Sequence, residues 1–303
     1  MEKLTSILVV ASRTATDSML LEKAVSLARS VGAQIHLFSC DAGLARRLRH
    51  SYVTEDTEKA WNICLAEHLT YLRRLQAQVS APGVHITTDA ACDSPLYEGI
   101  VAKIREIRPD LVMKAPAGEH PLRRLAFDSS DWNLAKVCPT TLMLVRPHRW
   151  RRVPRFAALV DVSEEGAAQF AQTIVHTSEY FALGCGGELD VIYSAGSANA
   201  SEHAEQLKSL ERLAREYHVE RGHVHVLNGN PDDALPDFVA HQNFDAIVLG
   251  ARTRRKGIAS IHGALTSRIA DTVHCDLILV PRGDQHRLAA EDSSIADDCA
   301  IAG

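Results

Sequence analysis

The residues of this 303-residue chain best placed for chemistry lie between Gly250 and Thr266, in the run GARTRRKGIASIHGALT. An apolar stretch before it, Ala246 to Leu249, reads as a buried strand, and Leu265 to Val273 after it reads as a helix. A glycine at a strand end, a basic loop and a second glycine at a helix start form a phosphate cradle. Backbone N–H groups converge there, and the helix N-terminus favours an anion. Gly250, Arg252, Thr253, Gly263, Ala264 and Leu265 are the candidate binding residues of that run. Asp161 and Val162 are the other two, at the end of the apolar strand that begins at Ala157. The Asp161 carboxylate can cap the helix that opens near Glu164.

Other chemistry is sparse. No GxSxG, HExxH or Walker lysine pattern occurs, which argues against a dedicated hydrolase or kinase. His223 and His225, and His36 with Cys40, share strand faces and could hold a metal. A zinc site needs three or four converging ligands, and the sequence does not supply them, so no metal site is expected. The seven cysteines form no CxxC pair and read as reduced, small apolar residues.

Composition sets the frame for these residues. The chain is 46% hydrophobic and 23% charged with a formal net charge of -5, the profile of a soluble globular protein long enough for two domains. An acidic balance argues against nucleic acid and membrane surfaces as partners. No run approaches the ~20 apolar residues of a membrane-spanning helix, and the N-terminal MEKLTSILVV is too short for a secretory signal. A cytoplasmic protein is expected.

Strand-like and helix-like stretches alternate along both halves. In the first, strands are expected at Ile7–Ala11, Ala33–Cys40, Val84–Thr88, Leu111–Lys114 and Thr141–Val145, with an irregular basic connection from Asp41 to His50. A long helix from Val53 carries Trp61, Leu65, Leu69, Leu72 and Leu75 on one stripe. In the second half strands are expected at Ala157–Asp161, Glu188–Tyr193, His223–Leu227, Asp245–Leu249 and Asp276–Val280. Such alternation implies an α/β fold with parallel sheets covered by helices. Between the halves, RPHRWRRVPR reads as a solvated connector. The expected division is a first domain over 1–147, a linker over 148–155, a second domain over 156–283 and a frayed polar tail over 284–303. The halves repeat in register: Asp110 and Asp245 open equivalent strands 135 positions apart, and Val145 and Val280 close equivalent strands at the same separation.

With these motifs in order and in duplicate (PDLVMK answering FDAIVL, TLMLVRP answering DLILVPR), the sequence resembles the universal stress protein family in its tandem form. The resemblance covers about residues 5–146 and 155–282. It implies two five-stranded Rossmann-like domains of the adenine nucleotide alpha hydrolase type. Nucleotide-binding members carry G-x2-G-x9-G-[ST] after the fourth strand and an aspartate at the end of the first. Here Gly250, Gly263 and Asp161 match, Thr253 stands at the second glycine and Ala264 at the Ser/Thr; the match implies that Asp161 holds a ribose, a reading of equal weight to the helix cap. The loss of that hydroxyl removes about 0.5–1.5 kcal/mol of hydrogen bonding. In the first half Ala115, Gly118, Asp128 and Ser129 occupy the motif positions and Ser12 replaces the aspartate. Its nucleotide site is expected to be lost, and the pocket either to bind something else or to be filled by side chains such as Trp132.

The implied ligand is ATP with Mg in the second half, in a stress-response protein that binds or signals, with slow ATP hydrolysis at most. The alternative is a module for an apolar ligand, a metal or a protein. The resemblance also implies that the halves pair through their last strands, Leu142–Val145 facing Leu277–Val280, with further homo-oligomerisation left open.

Overall fold

The computed structural model describes residues 3–48, 54–116, 129–163, 165–194, 200–251, 269 and 272–282. The first half runs β1 (Ser6–Val10), α1 (Asp17–Val31), β2 (Gln34–Asp41), α2 (Ala42–Leu48), α3 (Glu55–Gln78), β3 (Ile86–Cys92), α4 (Leu96–Ile107), β4 (Leu111–Lys114), α5 (Ser129–Val137) and β5 (Thr141–Leu144). The second runs β6 (Arg155–Val160), α6 (Glu165–Cys185), β7 (Glu188–Ser194), α7 (Ala200–Glu216), β8 (Val224–Leu227), α8 (Pro231–His241), β9 (Ala246–Ala251) and β10 (Asp276–Pro281). The continuous apolar runs at β1, β4 and β5 are buried at every residue, as strands covered on both faces must be.

All ten strands form one sheet, in the order β3-β2-β1-β4-β5-β10-β9-β6-β7-β8. Each half is parallel. The halves meet where β5 and β10 pair antiparallel, with Leu144 opposite Leu277, Met143 opposite Ile278 and Leu142 opposite Leu279. The expected pairing of the last strands is therefore present within the chain. Within each half the order reverses between the first and fourth strands. That switch opens a crevice at the carboxyl ends of the strands, where doubly wound sheets bind ligands.

The repeat is also a repeat of interactions. Asp110 accepts the backbone N–H groups of Thr5 (2.7 Å) and Ser6 (3.0 Å), fixing the start of β1. Asp245 accepts the N–H of Arg155 (2.8 Å) at the start of β6 in the same way. Three local expectations are revised. The Asp41–His50 connection contains helix α2, because Asp41 accepts the N–H of Leu44 at 2.6 Å and starts a turn. β3 lies later than Val84–Thr88, since pairing with the full length of β2 carries it to Cys92, opposite Asp41. α3 starts at a capping box: the Thr54 hydroxyl accepts from Thr57 N (3.3 Å) and Thr54 N donates to the Thr57 hydroxyl (2.8 Å).

The connector is not simply solvated. Arg146 is buried and Trp150 packs on the core. Arg151 binds Asp245 through Nε (2.9 Å), while Arg149 and Arg152 stay exposed. At the centre is Asp276, fully buried at the start of β10. Its carboxylate accepts from Lys23 Nζ of α1 (2.7 and 2.9 Å), from Arg146 N (2.7 Å) and from Trp150 Nε1 (2.7 Å). One acidic group of the second half thus gathers a helix of the first half and the chain between them. The polar segment from 284 onward lies outside the described residues.

Burial pushes the Lys23 ammonium down and the Asp276 carboxyl up, and each is opposed by the charge of the other. Removal of one partner strands a buried charge, so Asp276→Asn should cost about 3–5 kcal/mol in urea unfolding. Burial also holds the half-buried His148 imidazole, near Asp276, Lys23 and Asp245, below its ordinary range. Below pH ~6.5 the unfolded chain then binds the proton that the folded state refuses, and stability falls as pH falls. Urea midpoints from pH 7 to 5 should show this slope reduced in His148→Gln.

Candidate functional site

The second-half crevice is framed by the ends of two neighbouring strands, β6 leading to Asp161 and β9 ending at Gly250 and Ala251. Asp161 Oδ1 accepts both the N–H (3.0 Å) and the hydroxyl (2.6 Å) of Ser163. This is a tight turn closed two residues ahead of α6, which begins at Glu165. Among the described residues Oδ2 receives no hydrogen bond. Val162 is buried and closes the floor behind it. Tyr193, at the end of the adjacent β7, has its hydroxyl pushed up to about 12, first by burial and then by the Asp161 charge.

Gly250 has a structural reason for being glycine. A β-carbon there would lie 2.2 Å from Cε1 and 3.0 Å from Cζ of Phe170, whose ring comes down from α6 onto the strand. The Arg282 guanidinium sits 5.6 Å from the centre of the same ring. The glycine read in sequence as an approach point for phosphate lies directly beneath this ring, and a side chain there would have to displace it. Arg252, Thr253, Gly263, Ala264 and Leu265 lie outside the described residues. Of the candidate residues, the structure brings Asp161, Val162 and Gly250 to one end of the sheet.

The first-half crevice is built otherwise. Asp17, buried at the start of α1, accepts from Ser12 N (3.3 Å), Thr14 N (3.2 Å), the Thr14 hydroxyl (3.1 Å) and the Tyr71 hydroxyl (2.7 Å). The loop after β1 is folded around that carboxylate rather than opened by one. At the end of β4, Lys114 and Asp131 form a fully buried ion pair next to the buried Ala115. In register, Lys114 matches the apolar Leu249 of the other half. The filling expected from Trp132 is supplied at β4 by this pair, and Trp132 packs half-buried against the apolar cluster of α4 and α5.

The two histidine-containing pairs meet protein partners. His223 and His225 do share a face, but both turn to Asp190, which also binds Arg155 at 2.9 Å. The guanidinium already balances that carboxylate. His36 bonds Thr87 (2.9 Å) and Cys40 points to the Asp93 carbonyl, so these two have separate partners. All six described cysteines are free, and burial raises each thiol, most of them to about 12. None is poised as a thiolate nucleophile. The grouping that sequence reading missed is Asp41, Cys64 and His68, whose ligand atoms lie within 4.8 Å of one another. The signal was a cysteine and a histidine four apart on α3, one helical turn on one face.

The contact between Gly250 and Phe170 makes a quantitative prediction. Gly250→Ala should destabilise by about 1–3 kcal/mol through overpacking. In a Phe170→Ala background the same change should cost little, giving a clear coupling energy in a double-mutant cycle read by urea unfolding.

Comparison with known proteins agrees with this architecture. The chain is 20% identical to Universal stress protein E of Escherichia coli K12 over 97% of this chain and 98% of that protein. A functionally unknown protein from Pseudomonas aeruginosa PAO1 superposes with a TM-score of 0.73 at 20% identity, covering 96% and 97% of the two chains. A universal stress protein from Archaeoglobus fulgidus gives a TM-score of 0.66 at 14% identity, covering 93% and 98%. At such identities these likenesses speak to the fold alone. The model of the Universal stress protein family matches twice, at residues 3–146 and 162–281, in the two halves that the sheet joins. The chain therefore belongs to the universal stress protein family, as a tandem member with two such regions in one chain.

Proposed function

We propose that the chain is a stress-response protein that acts by binding, and that its second-half crevice takes an adenine nucleotide, ATP with Mg. The observation that carries this reading is the contrast between the two crevices. In the first, a buried Lys114–Asp131 pair and a loop closed on Asp17 occupy the strand ends. In the second, Asp161 is half-exposed at the switch point and keeps Oδ2 available among the described residues for a ribose hydroxyl. The sequence after Gly250 supplies the rest of the reading, with Gly263, Ala264 and Leu265 as a backbone cradle for phosphate and Arg252 beside Thr253 as added charge. In this reading turnover is at most slow hydrolysis, as the lack of a GxSxG, HExxH or Walker lysine pattern in the sequence suggests.

A second reading rests on Gly250. Because Phe170 explains this glycine, its presence is equally consistent with a crevice that holds an apolar ligand against the ring. Calorimetric titration with ATP, with and without magnesium, separates the two. Nucleotide binding predicts saturable heat that Asp161→Ala weakens about tenfold or more, the worth of a hydrogen bond to a charged group. No heat at high micromolar ATP, with an apolar compound retained in native mass spectra of the purified protein, would favour the second reading.

A further inference from the structure

We propose that Asp41, Cys64, His68 and Cys92 form a zinc site at the outer edge of the first half. Three elements, β2, β3 and α3, converge there. Asp41 ends β2 and Cys92 ends β3, and the two residues are paired across the parallel ladder. Cys64 and His68 project toward them from one turn of α3. Asp41, Cys64 and His68 already place three ligand atoms within 4.8 Å of one another. Cys92 stands beside this group, touching it through Cys64, its sulfur 3.6 Å away, and is the nearest candidate for a fourth ligand.

The hydrogen bonds around the group orient it for a cation. The Ala11 carbonyl can only accept, so the Ser39 hydroxyl gives its single hydrogen there (3.1 Å) and accepts from His68 Nδ1 (2.8 Å). That assigns the proton to Nδ1 and leaves the Nε2 lone pair facing Asp41 Oδ2 at 3.4 Å. Two acceptors face each other, on an imidazole that is 4% exposed. A cation placed between them would meet both acceptors. Asp41 is prepared in the same sense: Oδ1 accepts the Leu44 N–H at 2.6 Å, so Oδ2 is turned to the site. These are the outer contacts that fix ligands in metal centres.

The spacing suits zinc. Bonds of about 2.0–2.1 Å to nitrogen and oxygen and about 2.3 Å to sulfur give tetrahedral edges of about 3.4 and 3.8 Å. Two edges match, 3.4 Å between His68 and Asp41 and 3.6 Å between the sulfurs, and the edges from Cys64 to His68 and Asp41 are within 4.8 Å, so a bound ion would draw the ligands closer. Two thiols with one imidazole and one carboxylate select zinc over magnesium or calcium, which take oxygen ligands.

The test uses the full chain without a histidine tag. Mass-spectrometric metal analysis after zinc loading and desalting should find one zinc per chain, and cobalt loading should give thiolate-to-cobalt charge-transfer and tetrahedral d–d absorption. Cys64→Ser should abolish both signals. Ser39→Ala should weaken zinc affinity about 10- to 100-fold while leaving every ligand in place. Cys185→Ser, remote from the site, should bind as the wild type does, and circular dichroism establishes that each variant is folded. Should Cys64→Ser fail to fold, Cys92→Ser replaces it and should lose the charge-transfer intensity of one thiolate. A wild type that takes up no zinc or cobalt, with His68 and Asp41 then a simple ion pair, overturns the proposal. Metal uptake unchanged in Cys64→Ser overturns it equally.

Discussion

The structure depends on one constraint, the unpaired edge of a fifth strand. Thr141–Leu144 and Asp276–Pro281 are apolar and buried on both faces. Neither could stand as the free edge of its own sheet without presenting unsatisfied backbone groups and a template for aggregation. Antiparallel pairing of β5 with β10 removes both edges at once. It also places Asp276, the first residue of β10, within reach of α1 and the connecting chain. The carboxylate is desolvated there, and its tolerable states are those in which Lys23, Arg146 N and Trp150 surround it. Edge pairing supplies cohesion. The buried charge ties this register to one arrangement of helix and connector.

Duplication then allows the halves to diverge where the fold is least constrained. The aspartates that open β4 and β9 are retained together with their hydrogen bonds to the neighbouring strands, because a strand start with unsatisfied N–H groups is costly in either copy. The carboxyl ends of the strands carry no such obligation. There Leu249 has the buried ion-paired Lys114 as its counterpart, and the exposed turn at Asp161 has the closed loop around Asp17. The same scaffold thus has one crevice filled from within and one whose rim remains polar.

The sequence made the fold legible because its signals were periodic and repeated. Continuous apolar strands, amphipathic helices and the 135-residue register all refer to burial, which a chain of this length must satisfy. What it could not show was which partner a residue meets across space. Gly250 looked like a ligand glycine, since nothing local announces that Phe170, eighty positions earlier, descends onto it. The arginines from 146 to 155 read as a charged face, yet buried Asp245 and Asp190 far along the chain take up Arg151 and Arg155. His223 and His225 were correctly placed on one face, but the group that meets them was invisible from their spacing.

The outer edge of the first half shows the same limit from the other side. Asp41, Cys64, His68 and Cys92 come from two strands and a helix separated by loops, so no sequence pattern unites them. They meet because β3 extends in register with β2 to the last residue, and because the capping box at Thr54 sets where α3 begins. A shift of one residue in β3 would turn Cys92 to the opposite face, as strand alternation requires, and a shift of one residue in α3 would swing Cys64 and His68 about 100° around the helix. In a fold whose strands are fixed by edge pairing and burial, chemistry can therefore be gained at a margin by few substitutions. The scaffold has already done the positioning, and the residues need only be of the right type.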